Sequence, residues 1–133
     1  MQKKNNELNN LERKYPENIQ IKNSVKNMAK EMSTSKYGLC TGGLTTYEFS
    51  CMKIPIGIIC DDNHQKITAR QWEKLGFARN LGIFNKNTEP KIRKFFDEII
   101  NEQINVSNNG IIMDGLGSKR IANEILKMKG KKM

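Results

Sequence analysis

The chain is poor in the residues that anchor most recognisable chemistry. Its 133 residues include one histidine, one tryptophan and three prolines. A lone histidine, His64, with no C-x-x-C pair nearby, excludes the usual zinc sites. Cys40, Cys51 and Cys60 are odd in number and irregularly spaced, which excludes a disulfide framework. Their apolar surroundings predict buried free thiols in a reducing cytoplasm. Long hydrophobic runs are also missing. The longest, "IPIGIIC", is too short to cross a bilayer, and the basic N-terminus lacks the apolar stretch of a signal peptide. The expectation is a cytoplasmic chain with no membrane span, no metal and no cofactor.

Acidic residues are the minority, 14 against 23 Lys and Arg, for a formal charge of +9. Such a balance can signal nucleic acid. Here the lysines are scattered, and only "QKKNN" and "KMKGKKM" form local clusters, expected as disordered tails over residues 1–5 and 129–133. No RRM, KH or helix-turn-helix signature is present, and aromatics do not interleave with the basic residues. Nucleic acid is therefore not the expected partner. A small basic nucleic-acid-binding or protein-interaction module without enzymatic activity stays as the alternative.

What is present is alternation. The length suits one domain, and 37% hydrophobic with 28% charged residues suits a globular one. Leu8, Leu11 and Tyr15 share a helix face that Pro16 ends. "NIQIK" alternates as a short strand. A second helix is predicted from a Ser24 cap through Ser33, with Val25, Met28, Ala29 and Met32 inward. "KYGLCTG", "IPIGIIC" and "FARNLGI" read as three further strands, the middle one buried on both faces. Helices are expected over "GLTTYEFSCMK", over "DDNHQKITARQWEKLG" with an Asp or Asn cap and a glycine stop, and after Thr88 with Ile92, Phe95, Phe96, Ile99 and Ile100 inward. "NVSNNGIIMDG" reads as a short helix. The last helix runs from Ser118 to about Lys129, with Ile121, Ala122, Ile125 and Leu126 inward. This order predicts an α/β fold: a Rossmann-like three-layer α/β/α domain over residues 1–133 with a small parallel sheet. The opening helix has no strand before it, so the chain is expected to start inside a larger domain.

Ligands of a parallel α/β sheet bind beyond the strands' carboxyl ends. Two junctions lie there. In "CTGGLTTYE", Gly42 and Gly43 open the main chain to close approach, and the amides of Leu44, Thr45 and Thr46 are candidate phosphate donors. Glu48 suits a sugar diol. The same letters fit a capping box, with Thr45 bonding the Glu48 amide, and on the pattern alone that reading is the favoured one. In "CDDNHQK", His64 and Gln65 either bind a polar ligand or begin a helix capped by Asp62 or Asn63; a general-base role for His64 lacks a partner. "DGLGSKR" reads as a turn before a Ser118-capped helix, with anion binding as its other use.

Three blocks together resemble a known group. "VKNMAKEMSTSKYGLCTGGLTTYEFSCMKIPIGII", "DDNHQKITA" and "MDGLGSKRIANEIL" follow, in order and spacing, the C-terminal half of two-domain GT-B nucleotide-sugar enzymes. The nearest group is PseG/SpsG-like, which includes the UDP-sugar hydrolase of pseudaminic acid synthesis. The lipid II-forming N-acetylglucosaminyltransferase is more distant. The resemblance, which covers about Asn18 to Leu126, implies a UDP-sugar ligand in surface-glycan or sialic-acid-like sugar biosynthesis. It implies that Gly43, Leu44 and Thr45 meet the diphosphate with Thr46 close by, and that Glu48 accepts from the ribose. Val25 would read uracil, Met28 would pack on the base, and Gln65 with His64 would hold the sugar. It also implies a Rossmann-like N-terminal half that carries the catalytic residues, so this chain would not catalyse alone. Lys53 stands where the group commonly has glycine.

Overall fold

The computed structural model describes residues 2–101 and 113–130, with side chains from residue 6 onward. The first helix, α1 (Gln2–Lys14), is followed by α2 (Met28–Ser33), β1 (Gly38–Thr41), α3 (Thr45–Cys51) and β2 (Ile56–Cys60). Then come α4 (Asn63–Lys74), β3 (Ala78–Ile83), α5 (Thr88–Ile100) and α6 (Gly117–Gly130). The strands form a parallel sheet in the order β1-β2-β3. The expected α/β class and layering are observed.

β2 explains the layering. Ile56, Ile58 and Cys60 alternate onto one face and are fully buried. Phe49 of α3 and Ala69 and Trp72 of α4 join them in a single core cluster with Met32 of α2. Gly57 turns to the other face, where a Cβ would come within 2.9 Å of Leu39, 3.1 Å of Leu81 and 3.1 Å of Phe95 of α5. The glycine lets α5 settle on the sheet. One layer is therefore α3 and α4, the second the sheet, and the third α5.

The two crossover helices end alike. In α4, Gly76 has φ +75°, its amide donates to Glu73 O, and Phe77 N donates to Trp72 O. This is a Schellman stop, sealed by the Trp72–Phe77 ring contact with centroids 5.2 Å apart. In α3 the same pattern recurs: Lys53 N donates to Ser50 O and Ile54 N to Phe49 O, with Ile54 and Phe49 both buried. The left-handed residue there is Lys53, at φ +57°. That geometry accounts for why a glycine suits this position.

Several expectations are corrected. Residues 18–22 form no strand: Asn18 and Ile19 amides donate to Tyr15 O in the turn that ends α1, and Ile21 N donates to Glu12 Oε1. With these amides taken, the sheet among the described residues has three strands instead of four. Ser24 does not cap α2, because it sits at φ +52°; Asn27 does, accepting from Lys30 N. Of that helix's expected inward residues only Met32 is buried. On α5, Phe95 is buried, but Phe96 and Ile100 are exposed, since a three-stranded sheet is too narrow to cover the whole stripe. On α6, Ile121, Ala122, Ile125 and Leu126 are all exposed, and no residue of that helix is buried. Ser118 does not start α6, which begins at Gly117; Asp114 organises the turn instead, accepting from Leu116 N and gripping Arg120 through both oxygens. The Arg120 guanidinium holds the Asp114 carboxyl well below the usual range. The helix expected in "NVSNNGIIMDG" falls mostly outside the described residues. Of the expected tails, residues 2–5 lie in α1 and 129–130 in α6. Among the described residues no helix is long and apolar enough to cross a membrane.

The cysteines also divide. Cys60 is buried, Cys40 half-buried and Cys51 exposed, because Cys51 ends α3 on its outer side. Burial pushes the Cys40 thiol up to about 11 and raises that of Cys60. A thiol reagent at pH 8 should label Cys51 in the native protein, with Cys40 and Cys60 reacting only after denaturation. Mass mapping of the label that finds Cys60 first would contradict this. Lys53→Gly removes a left-handed lysine and should raise the urea midpoint, with a gain of about 0.5–1 kcal/mol. An unchanged or lower midpoint would show that Lys53 bears no strain.

Candidate functional site

The β1–α3 and β2–α4 junctions lie side by side at the carboxyl edge of the sheet, because β1 and β2 are parallel neighbours. A single side chain ties them. Gln65 Oε1 accepts from Gly42 N at 3.0 Å, just past β1, and from Asp61 N at 3.1 Å, just past β2. Asp62, the N-cap of α4, accepts from Gln65 N at 2.8 Å and sets the turn that aims Gln65 across. Of the two caps anticipated from sequence, Asp62 or Asn63, Asp62 is the one present.

The two glycines have different jobs. A Cβ on Gly42 would lie 2.8 Å from Gln65 Cβ and 3.0 Å from Gln65 O. Gly42 therefore admits α4, not a ligand. Around Gly43 a Cβ would meet nothing within 4 Å. Among the described residues the amides of Gly43, Leu44 and Thr45 donate to no protein acceptor, and together they form a shelf of three consecutive free N–H groups. The Leu44 side chain is 83% exposed beside them.

Thr46 departs from its expected place among the donors. Its amide donates to Gly43 O at 3.2 Å, and its hydroxyl donates to the same oxygen at 2.8 Å. That hydroxyl accepts from Trp72 Nε1 at 3.0 Å, and the side chain is fully buried. Thr46 is a rivet between α3 and α4. Thr45 forms no capping box, because it lies inside α3, whose N-cap is Leu44; Glu48 N donates to Leu44 O. Glu48 is exposed and, among the described residues, its carboxylate has no partner.

His64 and Gln65 occupy the first turn of α4, His64 exposed and Gln65 half-buried. With both lone-pair directions of Gln65 Oε1 taken by main-chain amides, only the Gln65 NH₂ group remains to meet a ligand. Sequence reasoning passed over Asp61 and Asp62 as site residues. Both are exposed at the end of β2, and their position directly after a buried strand was the available signal. Their carboxylates repel phosphate and suit hydroxyl donors. Val25 is half-buried and Met28 exposed in the segment that leads into and opens α2. Among the described residues no hydrogen bond links either to the junctions. No group of three or more His, Cys, Asp or Glu side chains among the described residues could hold a metal.

Thr46→Val should strand the buried Trp72 N–H and lower stability by about 1–3 kcal/mol, read from the denaturant midpoint. Thr46→Ser keeps the hydroxyl and should recover much of the loss. Equal losses in both variants would assign the effect to packing of the methyl group instead.

Comparison with protein-family models, with curated proteins and with solved structures found no match. The likeness to nucleotide-sugar enzymes therefore rests on the three sequence blocks.

Proposed function

We propose that this chain is the nucleotide-sugar-binding portion of a PseG/SpsG-like hydrolase or GT-B glycosyltransferase, with UDP-sugar as its ligand. The observation that carries the proposal is the shelf of unpaired Gly43, Leu44 and Thr45 amides, open above Gly43, at the carboxyl edge of a parallel sheet. α3 has only seven residues, so its dipole adds little, and the amides themselves would hold the diphosphate. Glu48, one turn along α3 and without a partner among the described residues, would accept from the ribose hydroxyls. The sugar would lie toward the β2 end, where the Gln65 NH₂ group and His64 offer polar contacts and Asp61 and Asp62 offer acceptors. Val25 and Met28 would meet the uracil. Thr46 would act only by holding the loop in shape. Catalysis would require the other half of such an enzyme.

Addition of UDP at roughly millimolar concentration should shift the amide NMR signals of Gly43, Leu44 and Thr45. Glu48→Gln should preserve the fold and weaken UDP binding about tenfold, because a hydrogen bond to a charged acceptor is replaced by a neutral one. The absence of any shift would count against the whole reading. Unchanged affinity in Glu48→Gln would remove the ribose role alone.

A second reading, a protein-interaction module, is favoured by β1. Gly38 N turns inward to Pro55 O, so Leu39 and Thr41 present their amides to the open edge. Leu39 is exposed there as well. Concentration-dependent association in sedimentation would favour this reading, and a clean monomer at high concentration would oppose it.

A further inference from the structure

The opposite edge of the sheet is built differently. At β3, the Asn80 amide donates to Glu73 Oε1 at 2.9 Å, and the Gly82 amide donates to Asn80 Oδ1 at 3.0 Å. Between them Leu81 bulges, since Ile58 pairs with Asn80 and Ile59 with Gly82. Side chains thus take two of the amides along β3, and with the bulge they oppose pairing with an added strand. A cleft of about 230 Å³ wraps around it, between the last turn of α4 and the face of α5.

The cleft's charges do not cancel. Glu73 is engaged by the Asn80 amide, and Glu98 by Arg79 Nε at 2.7 Å, in a pair that is about one-third exposed at Arg79 and 19% exposed at Glu98. Lys91 and Lys94, one turn apart on α5, line the same cleft, and among the described residues neither ammonium has an acidic partner. Gly82 has φ +80°, and a Cβ there would come within 3.2 Å of Lys91 Nζ, so the ammonium lies close over the bulge. The terminal nitrogens of Arg79 also remain as donors among the described residues. With Arg79 and Glu98 paired and Glu73 still negative, the lining keeps a net charge of one positive, carried by Lys91 and Lys94, and this favours an anion. Leu81 and Phe95 in the lining supply an apolar wall for the body that carries it.

We propose that this cleft binds a small phosphate monoester, its phosphate between Lys91, Lys94 and Arg79 and its carbon skeleton along Leu81 and Phe95. Ammonium and guanidinium groups are strong phosphate partners; here Lys91 and Lys94 are exposed and Arg79 is half-buried. The site is separate from the amide shelf, which lies at the carboxyl edge, and it does not rest on the nucleotide-sugar reading.

The test uses phenyl phosphate and inorganic phosphate, each titrated into the full chain and followed by NMR at Leu81, Lys91 and Lys94. Phenyl phosphate is expected to shift these signals saturably, and more tightly than inorganic phosphate. Lys91→Ala combined with Lys94→Ala should weaken it at least tenfold, while Lys91→Arg should retain binding. As a control, Lys127→Ala with Lys129→Ala removes the same charge from α6. An equal loss in that control would show diffuse attraction and overturn the proposal. So would the absence of saturable shifts, or shifts confined to Gly43, Leu44 and Thr45, which would report the other site.

Discussion

One carboxamide oxygen ties together the loops at the carboxyl edge of this sheet. Gln65 Oε1 receives an amide from the end of β1 and another from the end of β2. The two loops that leave these paired strands are thereby pinned to each other. The cost is steric: α4 must approach so closely that only glycine fits at position 42. With Gly42 committed to packing, the chain beyond it is free to present Gly43, Leu44 and Thr45 as an open row of amides. Gln65 satisfies the neighbouring donors of Gly42 and Asp61, so the unpaired amides begin only at Gly43.

The same economy appears one layer down. The Thr46 hydroxyl donates to Gly43 O and accepts from the Trp72 indole, with no exposure to solvent. It links the loop to α4 through Trp72, as Gln65 does through the Gly42 amide. Trp72 then contacts Tyr47 and Phe77, so the rivet continues into the Schellman stop of α4. A buried hydrogen-bonded pair in an apolar cluster is stable only when every polar atom is matched, and no buried side-chain polar atom among the described residues lacks a partner.

The two sheet edges contrast. At β3, Glu73 and Asn80 side chains take two amides beside a bulge, and its surroundings are rich in cations. Among the described residues no strand pairs with the outer edge of β1, and Leu39 is exposed. The apolar residues of α6 likewise face outward, although their spacing is that of an inward helix face. Periodicity reports that a face is apolar; it does not say what that face meets. This is why the α6 stripe and the Phe96 and Ile100 ends of the α5 stripe misled, whereas Phe95, opposite Gly57, did not.

By itself the sequence determined the class: alternating short β-branched runs and amphipathic segments, the buried both-sided β2, the Asp62 cap and the Gly76 stop are local in origin and legible as such. Capping and turn chemistry act over three or four residues, so spacing reveals them. Tertiary structure decided what each polar residue does. Thr46 and Gln65 looked like ligand groups because their partners, Trp72 and the Gly42 amide, lie 26 and 23 positions away. Residues 18–22 alternate like a strand, but the amides of Asn18 and Ile19 go to Tyr15 O and that of Ile21 to Glu12 of α1. Gly42 and Gly43 are adjacent and identical in sequence; one is filled by Gln65 and the other faces open space. A hydrogen bond between distant positions leaves no periodic trace, and only the folded chain shows which donors it has already used.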